Sequence, residues 1–174
     1  MPSKGKCSQE GKELLFKVAS SRDIWMVTHC AAVLAVSTTC RGVELKNLRW
    51  KDADLFDRKI SVRRSKTEAG HRTIPLNAEA MNALGRLLAR AQSNGSVAPE
   101  HFVFPTCENG IFDVTRPQKT WRTAWRSLVK EAAKRAGSEA SQRAIESGRD
   151  AAAAYNKAAA QFVGYDSTIS GIRR

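Results

Sequence analysis

Long apolar runs are missing from this sequence. The longest, Cys30 to Val36, falls far short of the roughly 20 residues a membrane-spanning helix needs, so no membrane association is expected. The stretch Met1 to Cys7 has no apolar segment behind it, and no secretory leader is expected. Cysteine is scarce: the four, at Cys7, Cys30, Cys40 and Cys107, share no short metal-type spacing. In a chain of 174 residues they read as reduced thiols of a cytoplasmic protein, not as a disulfide framework. Three histidines, His29, His71 and His101, stand singly, so no metal site is expected. Acid is also short. Asp and Glu total 17 against 29 Lys and Arg, leaving a net charge of +12. Such an excess argues against an enzyme of small neutral metabolites and points to a polyanionic partner, nucleic acid ahead of an anionic membrane surface. No internal repeat is visible.

What is present reads as one domain of helices with a small sheet. Ser8 to Ala19 carries an apolar stripe of Leu14, Leu15 and Val18 behind a serine cap. Asp23 caps a helix over about Ile24 to Thr38 that is apolar nearly all round, which predicts a place in the centre of the core. A short charged helical piece follows at Arg41 to Leu48. Lys59–Arg64 and Arg72–Leu76 alternate as strands around a polar loop, Ser65 to Gly70. Pro75 makes the second an edge strand, and Trp50 to Phe56 is a candidate third strand. Helical spacing returns from Asn77 to Gln92 through Met81, Leu84, Leu87 and Leu88. Phe102 to Pro105 is extended. Thr115 to Ala136 reads as one long amphipathic stretch with Trp121, Trp125, Leu128 and Val129 on one side. From Gly137 the chain turns rich in Ala and Ser, helical by propensity but with little to hold it on a core.

The basic residues cluster. Arg58, Lys59, Arg63, Arg64, Lys66 and Arg72 face one acid, Glu68; Arg116, Lys119, Arg122, Arg126, Lys130, Lys134 and Arg135 face Asp113 and Glu131. Surfaces of this kind suit DNA phosphates, contacts that carry charge but no sequence information; the bland alternative is a solvated basic surface. Arg41 follows a core helix directly, so its guanidinium emerges from a rigid element and could grip a phosphate through two parallel hydrogen bonds. Its alternative is a structural pair with Glu44, three residues on. Lys66, at the tip of the two-stranded ribbon, either reaches an anionic ligand or is solvated.

Three blocks together carry a resemblance: Thr38-Thr39-Cys40-Arg41-Gly42-Val43-Glu44-Leu45, then Leu48-Arg49-Trp50, then Ser65-Lys66-Thr67 with Arg72-Thr73-Ile74-Pro75-Leu76. Over residues 8 to 136 the chain resembles the catalytic domain of tyrosine recombinases, the phage integrase family, whose patterns read T-G-x-R-x-x-E-L, L-x-W-x-D-x-D and K-T-x-x-x-x-R-x-I-P-L. The departure from the pattern is placed at Cys40, where glycine is usual. The resemblance implies an α+β fold, mainly α: a helical bundle with a small antiparallel β-sheet. It implies a reaction in which a tyrosine hydroxyl attacks a DNA phosphodiester, forming a 3′-phosphotyrosyl link and freeing a 5′-hydroxyl, with no cofactor, ATP or metal. It makes Arg41 the first catalytic arginine, stabilising charge on the phosphorane, and Lys66 the general acid for the departing oxygen. Glu44 supports them, and Arg63, Arg64, Arg72, Arg116, Lys119 and Arg122 are expected DNA contacts.

The family also needs H-x-x-R and then a nucleophilic tyrosine. No histidine follows His101, and the two tyrosines, Tyr155 and Tyr165, lack the family context. The expectation is therefore a catalytically incomplete fragment that still binds double-stranded DNA in a bacterial or phage-type nucleoid. The alternatives are a non-catalytic DNA-binding protein, or a chain that self-associates or partners an intact recombinase. Residues 1–7 are expected to be disordered, 8–136 to form the partial domain, and 137–174 to be a helical or disordered tail. From about Gly164 the tail is a candidate frameshift. Gly164 to Arg173 can be back-translated as GGT TAC GAT TCC ACG ATC TCC GGC ATC AGG. Read from the final T of the glycine codon, that DNA encodes L-R-F-H-D-L-R-H-Q, which contains H-x-x-R. The gene's nucleotide sequence tests this directly.

Overall fold

The computed structural model describes residues 9–62 and 71–162. Arg63, Arg64, Lys66, the polar loop, Tyr165 and the candidate frameshifted stretch lie outside the described residues. In chain order the elements are α1 (Gln9–Ala19), α2 (Asp23–Thr38), α3 (Gly42–Lys46), a single 3₁₀ turn (Trp50–Asp52), β1 (Ala53–Asp54), β2 (Lys59–Val62), β3 (Arg72–Pro75), α4 (Ala78–Ser93), β4 (Pro105–Glu108), β5 (Ile111–Pro117), α5 (Arg122–Glu146) and α6 (Ala151–Ala160). They divide into two compact units: one holds α1, the first turns of α2, α5 and α6, and the other runs from Cys30 to Trp121. The mainly helical α+β architecture is as expected from the sequence.

In the first unit α1 and α6 both pack on α5. Leu15, Val18 and Ala19 of α1 are buried, and Phe16 meets His29 edge-on at 5.7 Å. Up to Phe162, the stretch that begins at Gly137 is not the loosely held segment its composition suggested. Helix α5 runs on to Glu146, and α6 lies against it. Small residues make this packing. Ala132, Ala136, Gly137 and Ala144 of α5 are buried, and the Tyr155 ring of α6 sits where a side chain at position 137 would be. Asp150 caps α6 by accepting the Ala152 and Ala153 N–H groups at 2.8 and 3.1 Å, and Phe162 is fully buried after it.

In the second unit β1, β2 and β3 form an antiparallel sheet in that order, with Ile60 opposite Ala53 on one side and Ile74 on the other. Ile60 and Val62 point inward and are buried. Pro75 ends the edge strand, where its missing N–H costs no ladder bond. The predicted strand over Trp50 to Phe56 shrinks to two residues after a 3₁₀ turn. Its backbone is committed elsewhere: the Trp50 and Lys51 N–H groups donate to the carbonyls of His101 and Pro99. Helix α4 begins at Asn77, whose side-chain oxygen accepts the Ala80 N–H at 2.8 Å, and buries Ala80, Ala83, Leu84, Leu87 and Ala91.

Two expectations need correction here. Thr115 to Ala136 is not one helical stretch: β5 continues to Pro117 and the helix starts at Arg122. Strands β4 and β5 form a hairpin with Glu108 opposite Ile111. Its two-residue turn, Asn109-Gly110, has φ of 54° and 80°, the paired positive values that Asn-Gly adopts readily and that match strand twist. Helix α2 is also not buried all round. Cys30, Ala31 and Leu34 are fully buried, but Ile24 and Val36 are exposed, Val36 by 67%.

Candidate functional site

The site is built where α2 ends. The last helical residue, Thr38, is buried, and its hydroxyl accepts the Cys40 N–H at 3.3 Å. Between them Thr39 turns the chain with φ of 53°. Glycine in a T-G-x-R pattern therefore corresponds to Thr39, not to Cys40; Cys40 is buried, and that burial pushes its thiol pKa up. A residue bearing a Cβ loses roughly 1–2 kcal/mol in the left-handed region, partly offset by the greater unfolded-state freedom of glycine. Thr39→Gly is accordingly expected to raise stability by about 1 kcal/mol, read as an upward shift of the urea midpoint.

Arg41 then enters extended (φ −68°, ψ 151°) as the N-cap of α3. Its carbonyl accepts the Glu44 and Leu45 N–H groups at 2.9 and 3.1 Å. Its own N–H donates to Glu44 Oε2 at 2.7 Å, one arm of a capping box. The Arg41 backbone is thus fixed at three points while its side chain is 73% exposed.

Glu44 is the opposite case, its side chain only 6% exposed. Both its oxygens are taken by Arg72 of β3, Nη1 to Oε1 at 3.0 Å and Nη2 to Oε2 at 2.8 Å. This parallel fork is the strong geometry for a carboxylate and a guanidinium. The Arg72 hydrogen bonds hold the Glu44 carboxyl pKa below its usual value, assisted by the Arg41 N–H and opposed by burial. The Arg41 guanidinium stands 4.0 Å from Glu44 Oε1. The structure therefore brings Arg41, Glu44 and Arg72 together, but Glu44 pairs chiefly with Arg72 and not with its sequence neighbour Arg41.

The remaining expected contacts are placed separately. Arg116 lies on β5 paired with Asp113; the Thr115 hydroxyl, then Arg116, bring the Asp113 carboxyl down to about 2. Lys119 follows the same hairpin, 3.2 Å from Glu108 and 73% exposed. Arg122 opens α5 in the other unit and is exposed. Sequence reasoning passed over Lys46. Its Nζ donates to the Lys119 carbonyl at 2.7 Å and stands 5.7 Å from the centre of the Trp121 ring, tying the end of α3 to the Lys119 segment. Among the described residues no group of three or more His, Cys, Asp or Glu could hold a metal ion, and no helix is long and apolar enough to cross a membrane.

The chain matches the Phage integrase family over residues 8–158, a span that takes in most of α6 as well as the expected domain. No curated protein sequence matches it. Among solved structures it is similar to the Tn1549 transposon integrase in complex with circular intermediate DNA, at 18% identity and a TM-score of 0.56, covering 98% of this chain and 63% of that one. It is similar to the same integrase in complex with transposon right end DNA, at 19% identity and a TM-score of 0.56, covering 98% and 62%. Similarity to XerA recombinase gives 21% identity and a TM-score of 0.53, covering 100% and 61%. The chain thus spans about three-fifths of the length of these structures.

Proposed function

The chain belongs to the phage integrase family, and from that premise we propose that it is the part of a DNA breaking-and-rejoining recombinase that grips the phosphate under attack. The observation that carries this reading is the division of labour around Glu44. Its carboxylate is neutralised by a two-pronged bond from Arg72, while Arg41, fixed through its backbone, keeps an exposed guanidinium. A rigidly mounted cation of this kind can donate two parallel hydrogen bonds to the non-bridging oxygens of a phosphodiester and oppose the charge that grows on them during attack. In this reading Lys66 gives its proton to the departing 5′ oxygen, and Arg63, Arg64, Arg116, Lys119 and Arg122 contact the DNA backbone. Self-association and a nucleoid location belong to the same reading.

The 174-residue chain has no histidine after His101, and Tyr155 is packed against Gly137. On a nicked suicide duplex it is therefore expected to form no denaturation-resistant adduct. It should still bind duplex DNA, with affinity falling by about a hundredfold or more between 50 and 200 mM salt as counterions are released. An adduct that disappears in Tyr155→Phe or Tyr165→Phe would make the chain a self-sufficient nuclease-ligase, and binding insensitive to salt would remove the electrostatic account.

A further inference from the structure

Glu44 lies between two arginines and bonds the guanidinium of only one. Arg72 approaches from β3 and occupies both carboxylate oxygens. Arg41 gives the same carboxylate its backbone N–H but leaves its guanidinium 4.0 Å from Oε1, at the edge of ion-pair distance. The Arg41 side chain is long and mostly exposed, so a small rotation would carry it onto Glu44 if the carboxylate were vacant.

We infer that Arg72 is a positioning residue: by holding both oxygens of Glu44 it keeps that carboxylate from capturing the Arg41 guanidinium, which stays directed to phosphate. The inference rests on the reading of Arg41 as a phosphate ligand and deepens it. It also assigns Arg72 a task other than the direct DNA contact expected from its charge. A direct contact and a positioning role both predict that loss of Arg72 weakens DNA binding. They part company once Glu44 is neutralised, because glutamine still accepts the Arg41 N–H but cannot hold a guanidinium as an ion pair.

The test measures affinity of the full chain for a duplex oligonucleotide at fixed salt, with circular dichroism melts confirming that each variant is folded. Arg41→Ala should lower affinity by about tenfold, the loss expected for one charge-assisted contact. Arg72→Ala should fall to the same level, and Glu44→Gln combined with Arg72→Ala should return to within about threefold of the native chain, since only one distant charge remains lost. A double variant as weak as Arg72→Ala, or an Arg72→Ala that binds like the native chain, overturns the inference. Should Arg72→Ala prove unfolded, Arg72→Gln takes its place in the same comparison: recovery of affinity on adding Glu44→Gln supports the inference, and no recovery overturns it. The Arg41→Ala arm reads the underlying assignment separately. If Arg41→Ala binds like the native chain, Arg41 is not a phosphate ligand and the proposed site itself fails.

Discussion

Trp121→Ala is expected to remove about 3–5 kcal/mol of stability, the usual cost of emptying a large buried aromatic site. Trp121 is 2% exposed and stands edge-on to the fully buried Phe104, with ring centres 5.2 Å apart at 75°. It also lies beneath the Lys46 ammonium, so its removal frees Lys46 from the segment that carries Lys119. Since small proteins hold only about 5–15 kcal/mol in total, a loss of this size consumes a large share. At about 2–4 °C per kcal/mol for a chain of this length, the melting midpoint should drop by roughly 10 °C or more. Trp121→Phe is the informative contrast. The buried indole Nε1 has no hydrogen-bond partner among the described residues, and an unmet buried donor costs about 1–3 kcal/mol. Removing it offsets part of the lost volume, so the phenylalanine variant should lose no more than about 1–2 kcal/mol. Equal losses in the two variants would show that a phenyl ring recovers nothing of the site, and would overturn this account.

Gly137→Leu should be nearly as damaging, by a different route. A Cβ at position 137 would lie 2.5 Å from Cε2 and 2.6 Å from Cδ2 of Tyr155, far inside contact distance, so α6 must move off α5. Overpacking of this kind costs about 1–3 kcal/mol, and opening the α5–α6 contact exposes buried apolar surface as well, which takes the expected loss to about 3 kcal/mol or slightly more. The Tyr155 origin of the effect can be read from a change of sign. Gly137→Ala should destabilise the native chain, yet in a Tyr155→Ala background it should stabilise by about 1 kcal/mol, the ordinary gain of alanine over glycine inside a helix. A thermal melt of the four chains decides it, and destabilisation in both backgrounds would place the clash elsewhere.

These two sites also mark the limits of what was legible in the chain. Helices α1, α2 and α4 declare themselves through caps and spacing, and β2 and β3 through alternation around a polar loop. The β4–β5 hairpin was equally readable, because Asn109-Gly110 is a strong short-range turn signal. The helical spacing of Trp121, Trp125 and Leu128, carried back to Thr115, hides only its last residues, and the stretch between Pro105 and Thr115 carries no other marker. The α5–α6 packing leaves little trace in a hydrophobicity pattern, since its determinant at Gly137 is an absent side chain. At the candidate site, the firm backbone mounting of Arg41 is legible, because it follows a core helix directly. The true partner of Glu44 is not. Local spacing offers Arg41 three residues away, whereas the fold delivers Arg72 from a strand 28 positions later.

The unit that contains α1 is assembled from the two ends of the described chain. Helix α1 finishes at Ala19, and its packing partner α5 begins at Arg122. During synthesis at about 5–20 residues per second, α1 is complete for roughly 5–20 seconds before α5 starts to emerge. Throughout that interval Leu15, Val18 and Ala19 lack the surface that finally buries them. Within the segment from Cys30 to Trp121 the named strands pair only with neighbours in sequence, contacts that close quickly, while the bonds from Trp50 and Lys51 to the carbonyls of His101 and Pro99 wait for about 50 further residues. The order of emergence therefore keeps α1 waiting until α5 has been made, a period in which a ribosome-bound chaperone would have the apolar face of an amphipathic helix to hold.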